Sequence, residues 1–341
     1  MPSNNTNRPY LGFAIPTFNR CKLLDNLIGQ ITRSFEELSE TRFEVCICDN
    51  GSSDATEEIV RKWQRHYPQI KYKNNRSNLG PQQNITNSFS LTSSEYVWIL
   101  SDDDEIWDHS IPTLIHELES NPTSDLFLLN RSLCTVDMEF NKNDAYIENN
   151  QSISVLLKES EELSNYLNKC LNINGLGCYI SSWVVKRSIG EKILLEDDEF
   201  SRENLFPHVY LLWNYTLNKN PIRLHYLNQP LVKWRAGNSL AARGLLGRAM
   251  HLHQLFRKIA PSKELFCQFE KMITQQYERQ FTKDMMIRKG PPLDELIYAQ
   301  EHFNGESKEQ ARISALEIQA TALARAEMLR KQREEKEAAD S

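Results

Sequence analysis

The chain has 341 residues, of which 40% are hydrophobic, and it carries 40 basic against 46 acidic residues for a formal net charge of -6. A chain of this length and apolar content can bury a core and form one large or two modest domains. Its acidic balance excludes the broad basic surface typical of nucleic-acid-binding proteins. The sequence opens without a signal-peptide pattern and no apolar run reaches the length of a membrane span, so we expect a cytoplasmic protein.

The first hundred residues alternate between short apolar runs and segments with helical periodicity. The apolar runs predict strands at 10–16, in the first part of 43–54, at 70–75 and at 96–100. The periodic segments predict helices that begin near Leu23 and that cover 55–66 and 80–92. This alternation indicates an α/β fold with a mostly parallel central sheet flanked by helices. The pattern does not give the order of the strands.

The signal is weaker beyond residue 108. Three segments look like further strands: residues 125–136, 178–187 and 222–237. Residues 204–218 read as a buried helix opened by Pro207 in its first turn. The stretch 137–175 is polar, Asn-rich and helical in its second half, which suits a lid or an insertion on the acceptor side of a site.

Residues 245–341 are predicted to be a helical C-terminal region. Within 312–336, apolar residues recur three and four apart on an otherwise charged helix. Such a seam indicates packing on its own domain or on a partner chain, the second of which would make a homo-oligomer. A peripheral membrane contact is the other interpretation, although the polar face carries nearly as many acids as bases.

Polar clusters fall at the predicted carboxyl ends of three strands: Thr17–Arg20, Asp49–Ser52 and Asp102–Asp104. In parallel sheets the loops at these ends surround the ligand crevice, so the clusters should form one site. Three adjacent carboxylates repel one another, and Mg2+ or Mn2+ prefers such oxygen ligands. The alternative is an Asp-rich helix N-terminus, which also tolerates carboxylates.

Four ordered motifs, AIPTFNR, CICDNGSSD, NRSNLGPQQN and YVWILSDDDEIW, cover residues 10–108 and together resemble the family 2 glycosyltransferases of the GT-A fold. The sequences of these motifs are most similar to those of bacterial enzymes of the abequosyltransferase-like kind, which build O-antigen or capsule. The resemblance implies a GT-A domain over 1–240, with a nucleotide-sugar half at 10–108 and an acceptor half at 109–240. It also implies metal-dependent inverting transfer, with Mg2+ or Mn2+, from a nucleotide-sugar donor to a glycan or lipid-linked glycan acceptor at the inner face of the plasma membrane.

The resemblance assigns the donor side residue by residue. The positions that match the family's nucleotide-binding loops are Pro16, Thr17, Asn19, Asp49, Arg76, Asn78 and Gly80. Asp49 would hydrogen-bond the base, whereas Asn50 stands where the family usually has a second acid. Simpler interpretations stay open, because Pro16 and Gly80 could only shape turns, Asn19 and Asp49 could only cap local structure, and Arg76 could be a solvated surface residue.

The acid triplet matches the D-x-D motif of the family. Asp104 would be the direct metal ligand and Asp102 would face ribose or metal, while Asp103 would join the donor site or point elsewhere. Following the last predicted strand, residues 233–244 carry Trp234, Arg235, Asn238, Ser239 and Arg243. A ring beside cationic donors suits a sugar or a diphosphate, which makes Arg235 a further donor-binding candidate.

The catalytic base is the missing part of the pattern. Inverting transfer needs a group that accepts the acceptor hydroxyl proton, and in this family that group is commonly the Asp of a Glu-Asp pair. Here His208 falls at that position, so it is predicted to be the base, with a role in capping or substrate contact as the alternative. Asp197, Asp198 and Glu203 replace it if the register differs by a loop. An inactive relative that binds nucleotide or glycan as an assembly module is the competing function.

Overall fold

The computed structural model describes residues 8–148, 151–195, 199–200, 204–218, 220–237, 245–273 and 298. By compactness the chain divides into two units, Met1–Asn238 with Leu255–Phe269 and Ser239–Gln254 with Glu270–Ser341. The first unit holds the sheet and the candidate site. Several sequence predictions lie outside the described residues: Asp197, Asp198, Glu203, the loop residues Asn238, Ser239 and Arg243, and the helical seam at 312–336.

One sheet of ten strands runs through the described part of the first unit. The strands are β1 (Leu11–Thr17), β2 (Phe43–Asp49), β3 (Ile70–Asn74), β4 (Tyr96–Ile99), β5 (Glu105–Ile106), β6 (Leu126–Cys134), β7 (Phe140–Asp144), β8 (Ile153–Leu157), β9 (Trp183–Lys186) and β10 (Ile222–Arg235). The α-helices are α1 (Cys21–Leu38), α2 (Thr56–Gln64), α3 (Pro81–Ser90), α4 (Ser110–Ser120), α5 (Ser160–Lys169), α6 (Arg187–Leu194), α7 (Pro207–Leu217) and α8 (Leu245–Ile259), followed by a helix over 263–273.

The strand order is β3-β2-β1-β4-β9-β6-β10-β5, with β7 paired to β6 and β8 paired to β10. The first four strands are all parallel, as the alternating pattern predicts. Strand β9 then runs antiparallel between β4 and β6, while β10 lies parallel to β6. The predicted α/β class is therefore confirmed, and the parallel arrangement holds mainly in the N-terminal half.

A layer of apolar side chains packs α1 onto the N-terminal half of the sheet. Strand β1 is buried almost throughout because it is covered on both faces, which explains its unbroken apolar run. The ring of Phe13 lies 5.6 Å from that of Trp98 and 5.9 Å from that of Phe35 on α1. Each such fully buried side chain contributes roughly 1.5–3 kcal/mol through the hydrophobic effect. This core holds β1 and β4 against α1.

Helix α7 begins at Pro207, as predicted, and is buried along most of its length. Its Trp213 ring lies edge-on to Phe256 and Phe269, at 6.0 and 5.3 Å, and its Nε1 donates to the Leu176 carbonyl at 3.0 Å. The predicted helical character after residue 245 is confirmed for residues 245–259 and 263–273. In the parts of the chain that the structure describes, no helix has the length and apolar character needed to cross a membrane.

Candidate active site

The site is built where three parallel strands end side by side. In the register of β1 and β2, Thr17 pairs with Asp49, so the loops that follow both strands begin at the same level of the sheet. The Thr17 Oγ1 donates a 2.7 Å hydrogen bond to the Asp102 Oδ2 just beyond β4. Residues 85 positions apart in the sequence are thereby brought into contact.

All three acids of the triplet are buried, with Asp102 and Asp104 2% exposed and Asp103 6% exposed. Arg20 reaches two of them, since its Nη1 lies 2.7 Å from the Asp102 Oδ1 and 3.1 Å from the Asp103 Oδ2. The Ser181 Oγ donates to the Asp104 Oδ2 at 2.7 Å. The acid loop is therefore held by residues from both the N-terminal and the C-terminal half of the sheet.

The carboxylates are only partly neutralised by these neighbours. Burial and the adjacent Asp103 charge raise the pKa of Asp104 to about 7, and the Tyr179 and Ser181 hydroxyls lower it only in part. Burial also raises the pKa of Asp102, although the Arg20 charge acts in the opposite direction. An added cation would favour the ionised form of both acids.

These residues fit a hard divalent cation that shares its ligands with substrate. The donor atoms are oxygens, and a guanidinium already stands against two of the carboxylates in the place of a positive charge. Among the described residues, no group of three His, Cys, Asp or Glu side chains is arranged to hold a metal. One or two of these carboxylates could hold an ion such as Mg2+, which would take its remaining ligands from phosphate and water oxygens.

Arg235 braces the acid loop from the end of β10. Its Nε donates to the Asp103 carbonyl at 3.0 Å, its Nη2 to the Glu105 Oε1 at 3.0 Å, and its Nη1 to the Val136 carbonyl. Its backbone N–H is 3.4 Å from the Asp104 Oδ1. The guanidinium predicted to face the donor is thus engaged by the protein itself.

The second loop is organised around Asp49. Its Oδ2 accepts from the Tyr72 hydroxyl at 2.7 Å and from the Asn74 Nδ2 at 3.2 Å, and its Oδ1 accepts from the Ser52 N–H at 2.9 Å. The side chain therefore caps the turn after β2, which is the local role left open by the sequence. Each carboxylate oxygen can accept more than one hydrogen bond, so these contacts do not exhaust the acid as an acceptor.

Asn50 ties the second loop to the third. Its Nδ2 donates to the Asn78 Oδ1 at 2.8 Å and to the Gly80 carbonyl at 3.3 Å, and its Oδ1 accepts from the Leu79 N–H at 2.9 Å. A carboxylate at this position would face the two acceptors without a donor. The structure thus gives a physical reason for an amide where the family usually has an acid.

The remaining residues predicted to bind the donor lie near the hydrogen bonds of Asn50. Pro16 is inside β1, paired with Cys48, and Gly80 precedes α3 with a φ of 85° that favours glycine. Asn19 links the first and second loops, because its N–H donates to the Ser52 Oγ at 2.8 Å and its Oδ1 accepts from the Ser53 N–H at 2.8 Å. It forms no side-chain cap on α1, since Arg20 is the residue at the N-cap.

Arg76 lies on the third loop with an exposed side chain and a φ of 64°. Its backbone N–H donates to the Asn74 Oδ1 at 2.6 Å, so the Asn side chain holds the loop in this left-handed conformation. The guanidinium is at the surface of the same loop that carries Asn78 and Gly80. Its proposed reach toward phosphate stays a prediction.

His208 lies in the first turn of α7 and is buried. Its ring packs edge-on against Trp183 at 5.4 Å, and neither ring nitrogen completes a hydrogen bond with a described residue. Burial lowers the pKa of His208 to about 4, while the backbone of Cys178 and Gly177 acts in the opposite direction. The imidazole is therefore neutral near pH 7.

Three residues that contact the acids or shift their pKa had no predicted role. Arg20 is within the first polar cluster but was given no role, and Tyr179 and Ser181 come from a segment read as a strand. Ser181 is instead in a short 3-10 helix, Ile180–Ser182, which turns its hydroxyl toward Asp104. The sequence places the basic Arg20 in one strand-end cluster and the acids in another, and the two clusters were predicted to meet, so this ion pair could have been found; Ser181 carries no such signal.

A parallel half-sheet with buried acids at its carboxyl edge is the arrangement of a GT-A glycosyltransferase. The family model "Glycosyl transferase family 2" matches residues 13–194, which are more than half of the chain. The chain therefore belongs to glycosyl transferase family 2, and the resemblance drawn from the four motifs is confirmed.

Individual relatives agree with this assignment. The abequosyltransferase RfbV of Salmonella typhimurium is 31% identical over 231 residues, which are 67% of this chain and 67% of that protein. The GalNAc(5)-diNAcBac-PP-undecaprenol beta-1,3-glucosyltransferase of Campylobacter jejuni is 35% identical over 111 residues, 32% of this chain and 34% of that protein. Among solved structures, S. aureus TarS 1-349 in complex with UDP-GlcNAc has a TM-score of 0.59 at 13% identity and covers 91% of this chain and 89% of that one. The structural similarity confirms the GT-A fold.

Proposed function

We propose that this glycosyltransferase moves a sugar from a nucleotide-diphosphate sugar to a glycan or lipid-linked glycan in the synthesis of bacterial surface polysaccharide, such as O-antigen or capsule. The single observation that carries the proposal is the assembly of Thr17, Arg20 and the three buried acids at the carboxyl edge of the parallel half-sheet. The Campylobacter relative is named for the lipid-linked glycan GalNAc(5)-diNAcBac-PP-undecaprenol, which supports the acceptor class, and the Salmonella relative is an abequosyltransferase, which supports sugar transfer.

The buried acids would bind the donor diphosphate through a divalent cation. Asp104 and Asp102 are the residues that would hold Mg2+ or Mn2+, and such an ion would supply positive charge that stabilises the departing diphosphate. In this structure Thr17 and Arg20 each contact one oxygen of the Asp102 carboxylate. Arg235 fixes the loop by holding the Asp103 carbonyl and Glu105. The nucleoside would lie along the loops that carry Pro16, Asn19, Asp49, Arg76, Asn78 and Gly80.

For the proton acceptor, we retain His208 as the candidate among the described residues. Its neutral ring and two nitrogens without completed hydrogen bonds support a role in accepting a proton. Its low pKa makes it a weaker base than an ordinary histidine, and Asp197 and Asp198 remain the alternatives for this role. Residues 177–183 link the two parts of the site, since Ser181 contacts Asp104 and Trp183 contacts His208.

The experiment is a donor panel. The purified protein is mixed with UDP-, GDP-, CDP- and dTDP-sugars, with and without a lipid-linked oligosaccharide preparation, and released nucleoside diphosphate is measured in Mn2+ or in EDTA. We expect one donor to be consumed in Mn2+, faster with acceptor, and not in EDTA. Equal release in EDTA would overturn the metal requirement. Binding of a nucleotide sugar with no release under any condition would favour the inactive binding module.

A further inference from the structure

Arg20 covers two buried acids from the solvent side. It sits at the N-cap of α1, and its Nη1 contacts the Asp102 Oδ1 at 2.7 Å and the Asp103 Oδ2 at 3.1 Å. The Arg20 side chain is 30% exposed, whereas those of Asp102 and Asp103 are 2% and 8% exposed. The single positive charge of Arg20 therefore compensates the negative charges of two buried carboxylates at once.

The two arginines of the site are held very differently. The Arg235 guanidinium is fixed by Glu105 and by the carbonyls of Asp103 and Val136. In the described ranges, the Arg20 guanidinium makes its hydrogen bonds and ion pairs with Asp102 and Asp103 alone. If those acids were neutralised by another cation, Arg20 would lose its partners and could rotate into solvent or onto a ligand, while Arg235 would stay in place.

A divalent ion and the Arg20 guanidinium compete for the same carboxylates. Both are positively charged, so an ion brought to Asp102 would repel the guanidinium that lies 2.7 Å from its Oδ1. A metal ion that binds alone must break the ion pairs of Arg20 with Asp102 and Asp103 and leave the guanidinium in water. The loss of these charge-assisted contacts weakens binding of the metal in the absence of a donor. A diphosphate removes that cost, because a guanidinium matches phosphate oxygens with two parallel N–H donors.

We propose that Arg20 is the internal counter-ion of the donor-free site, and that metal binding transfers it from Asp102 and Asp103 to the donor diphosphate. Divalent metal and nucleoside diphosphate then bind cooperatively, each more tightly in the presence of the other. Arg20 acts as a positioning residue that prevents tight metal binding before the donor is present. The inference rests on the proposed function, because it takes these acids as the metal site.

The test measures Mn2+ binding directly, from the electron paramagnetic resonance signal of free Mn2+, with Mn2+ alone and with UDP, GDP or CDP added. The wild type is compared with Arg20→Gln, which removes the charge, and Arg20→Lys, which keeps it. Arg42→Gln is the matched control, since Arg42 pairs with the Glu40 carboxylate at 2.8 Å just before β2 begins, at the opposite end of that strand from the site. Cooperative thermal unfolding confirms that each variant is folded.

For the wild type we expect weak binding of Mn2+ alone and about tenfold tighter binding with the nucleoside diphosphate that fits, which is within the usual range of coupling between two ligands. Arg20→Gln should bind Mn2+ alone about tenfold more tightly than the wild type and lose most of the coupling. Arg20→Lys should lie between, and Arg42→Gln should match the wild type.

Equal affinity of the wild type and Arg20→Gln for Mn2+ alone, or coupling that survives in Arg20→Gln, would overturn the role of Arg20 and leave the metal site standing. Absence of Mn2+ binding in every variant, with and without each nucleotide, would overturn the metal site and with it the metal dependence of the proposed function. The two failures are therefore distinct.

Discussion

At the residue scale, Asn50 shows how one amide can define a loop pair. Its Nδ2 donates to Asn78 and Gly80, and its Oδ1 accepts from Leu79 and from the Asn75 Nδ2. Both ends of the side chain are therefore used, and the residue is 3% exposed. A carboxylate of the same shape would keep the acceptor end and lose the donor end.

We predict that Asn50→Asp lowers the free energy of unfolding by roughly 1–3 kcal/mol, the usual cost of a buried polar contact left without its donor. Urea denaturation at pH 7.5 measures the change. Asn143→Asp is the matched control, because Asn143 is exposed and its hydrogen bond with the Ser132 Oγ uses the Asn143 Oδ1 as acceptor, which an aspartate keeps. Equal stability of Asn50→Asp and the wild type would contradict the donor role.

His208 gives a second prediction at this scale, on the dependence of stability on pH. Its pKa is lowered to about 4 in the folded protein, against an unfolded value near 6.5. Above pH 6.5, His208 therefore does not make the free energy of unfolding depend on pH. As the pH falls from 6.5 toward 4, stability is lost because His208 binds its proton in the unfolded chain before it does so in the folded protein.

Between pH 7.5 and pH 5, the wild type should lose about 2 kcal/mol more stability than His208→Gln, a figure that follows from the two pKa values. Denaturant unfolding at both pH values measures the difference, and His208→Asn provides a second variant if the first packs poorly. A wild type and variants with the same loss would mean that the histidine is not held neutral by burial.

Among the turns and helices, two glycines differ in whether their position requires glycine. Gly51 follows β2 with a φ of 78°, and a Cβ there would lie 2.9 Å from the Ser77 backbone. Gly29 is inside α1, where a Cβ would meet only the Trp63 ring at 3.5 Å, an ordinary contact. The turn thus needs glycine and the helix does not.

Gly51→Ala should destabilise the protein by about 1–3 kcal/mol through its strained backbone and the contact with Ser77. Gly29→Ala should stabilise it by about 0.5–1 kcal/mol, because alanine is the better helix former and no clash opposes it. Thermal unfolding of the two variants measures both signs. Loss of stability in Gly29→Ala equal to that in Gly51→Ala would show that packing, not backbone conformation, decides both.

The elements that the sequence predicts well are those with long local patterns. Strands β1 to β4 and helix α7 fall close to their predicted ranges, because buried apolar runs and Pro207 are local signals. Strand β7 is polar and largely exposed, so its strand character comes from pairing with β6 and was not predicted. The two-residue strand β5 is too short for any periodicity, and its register depends on β10.

At the scale of the whole molecule, the site depends on contacts between distant segments that no local pattern contains. Arg20 contacts Asp102 across 82 positions, and Ser181 contacts Asp104 across 77. The strand-end loops could be predicted to meet because parallel strands place them at one edge. The partner of Asp104 could not, since the position of Ser181 depends on the antiparallel insertion of β9 between β4 and β6.

In the proposed function, the buried acids hold a divalent cation and the donor diphosphate for glycosyl transfer. Asp104→Asn keeps the shape of the side chain and an acceptor for the Ser181 hydroxyl, but removes the charge that a metal needs. Asp137→Asn, at an exposed position in the turn between β6 and β7, is the matched control.

The most direct measurement is therefore sugar transfer by the wild type, Asp104→Asn and Asp137→Asn at saturating donor and Mn2+, with thermal unfolding of each protein as the check on folding. We predict that Asp104→Asn loses transfer by at least about a hundredfold, the order expected when a principal electrostatic contact is removed, and unfolds as cooperatively as the wild type. Asp137→Asn should retain wild-type turnover. Undiminished transfer by a folded Asp104→Asn protein would show that the Asp104 charge is not needed for transfer.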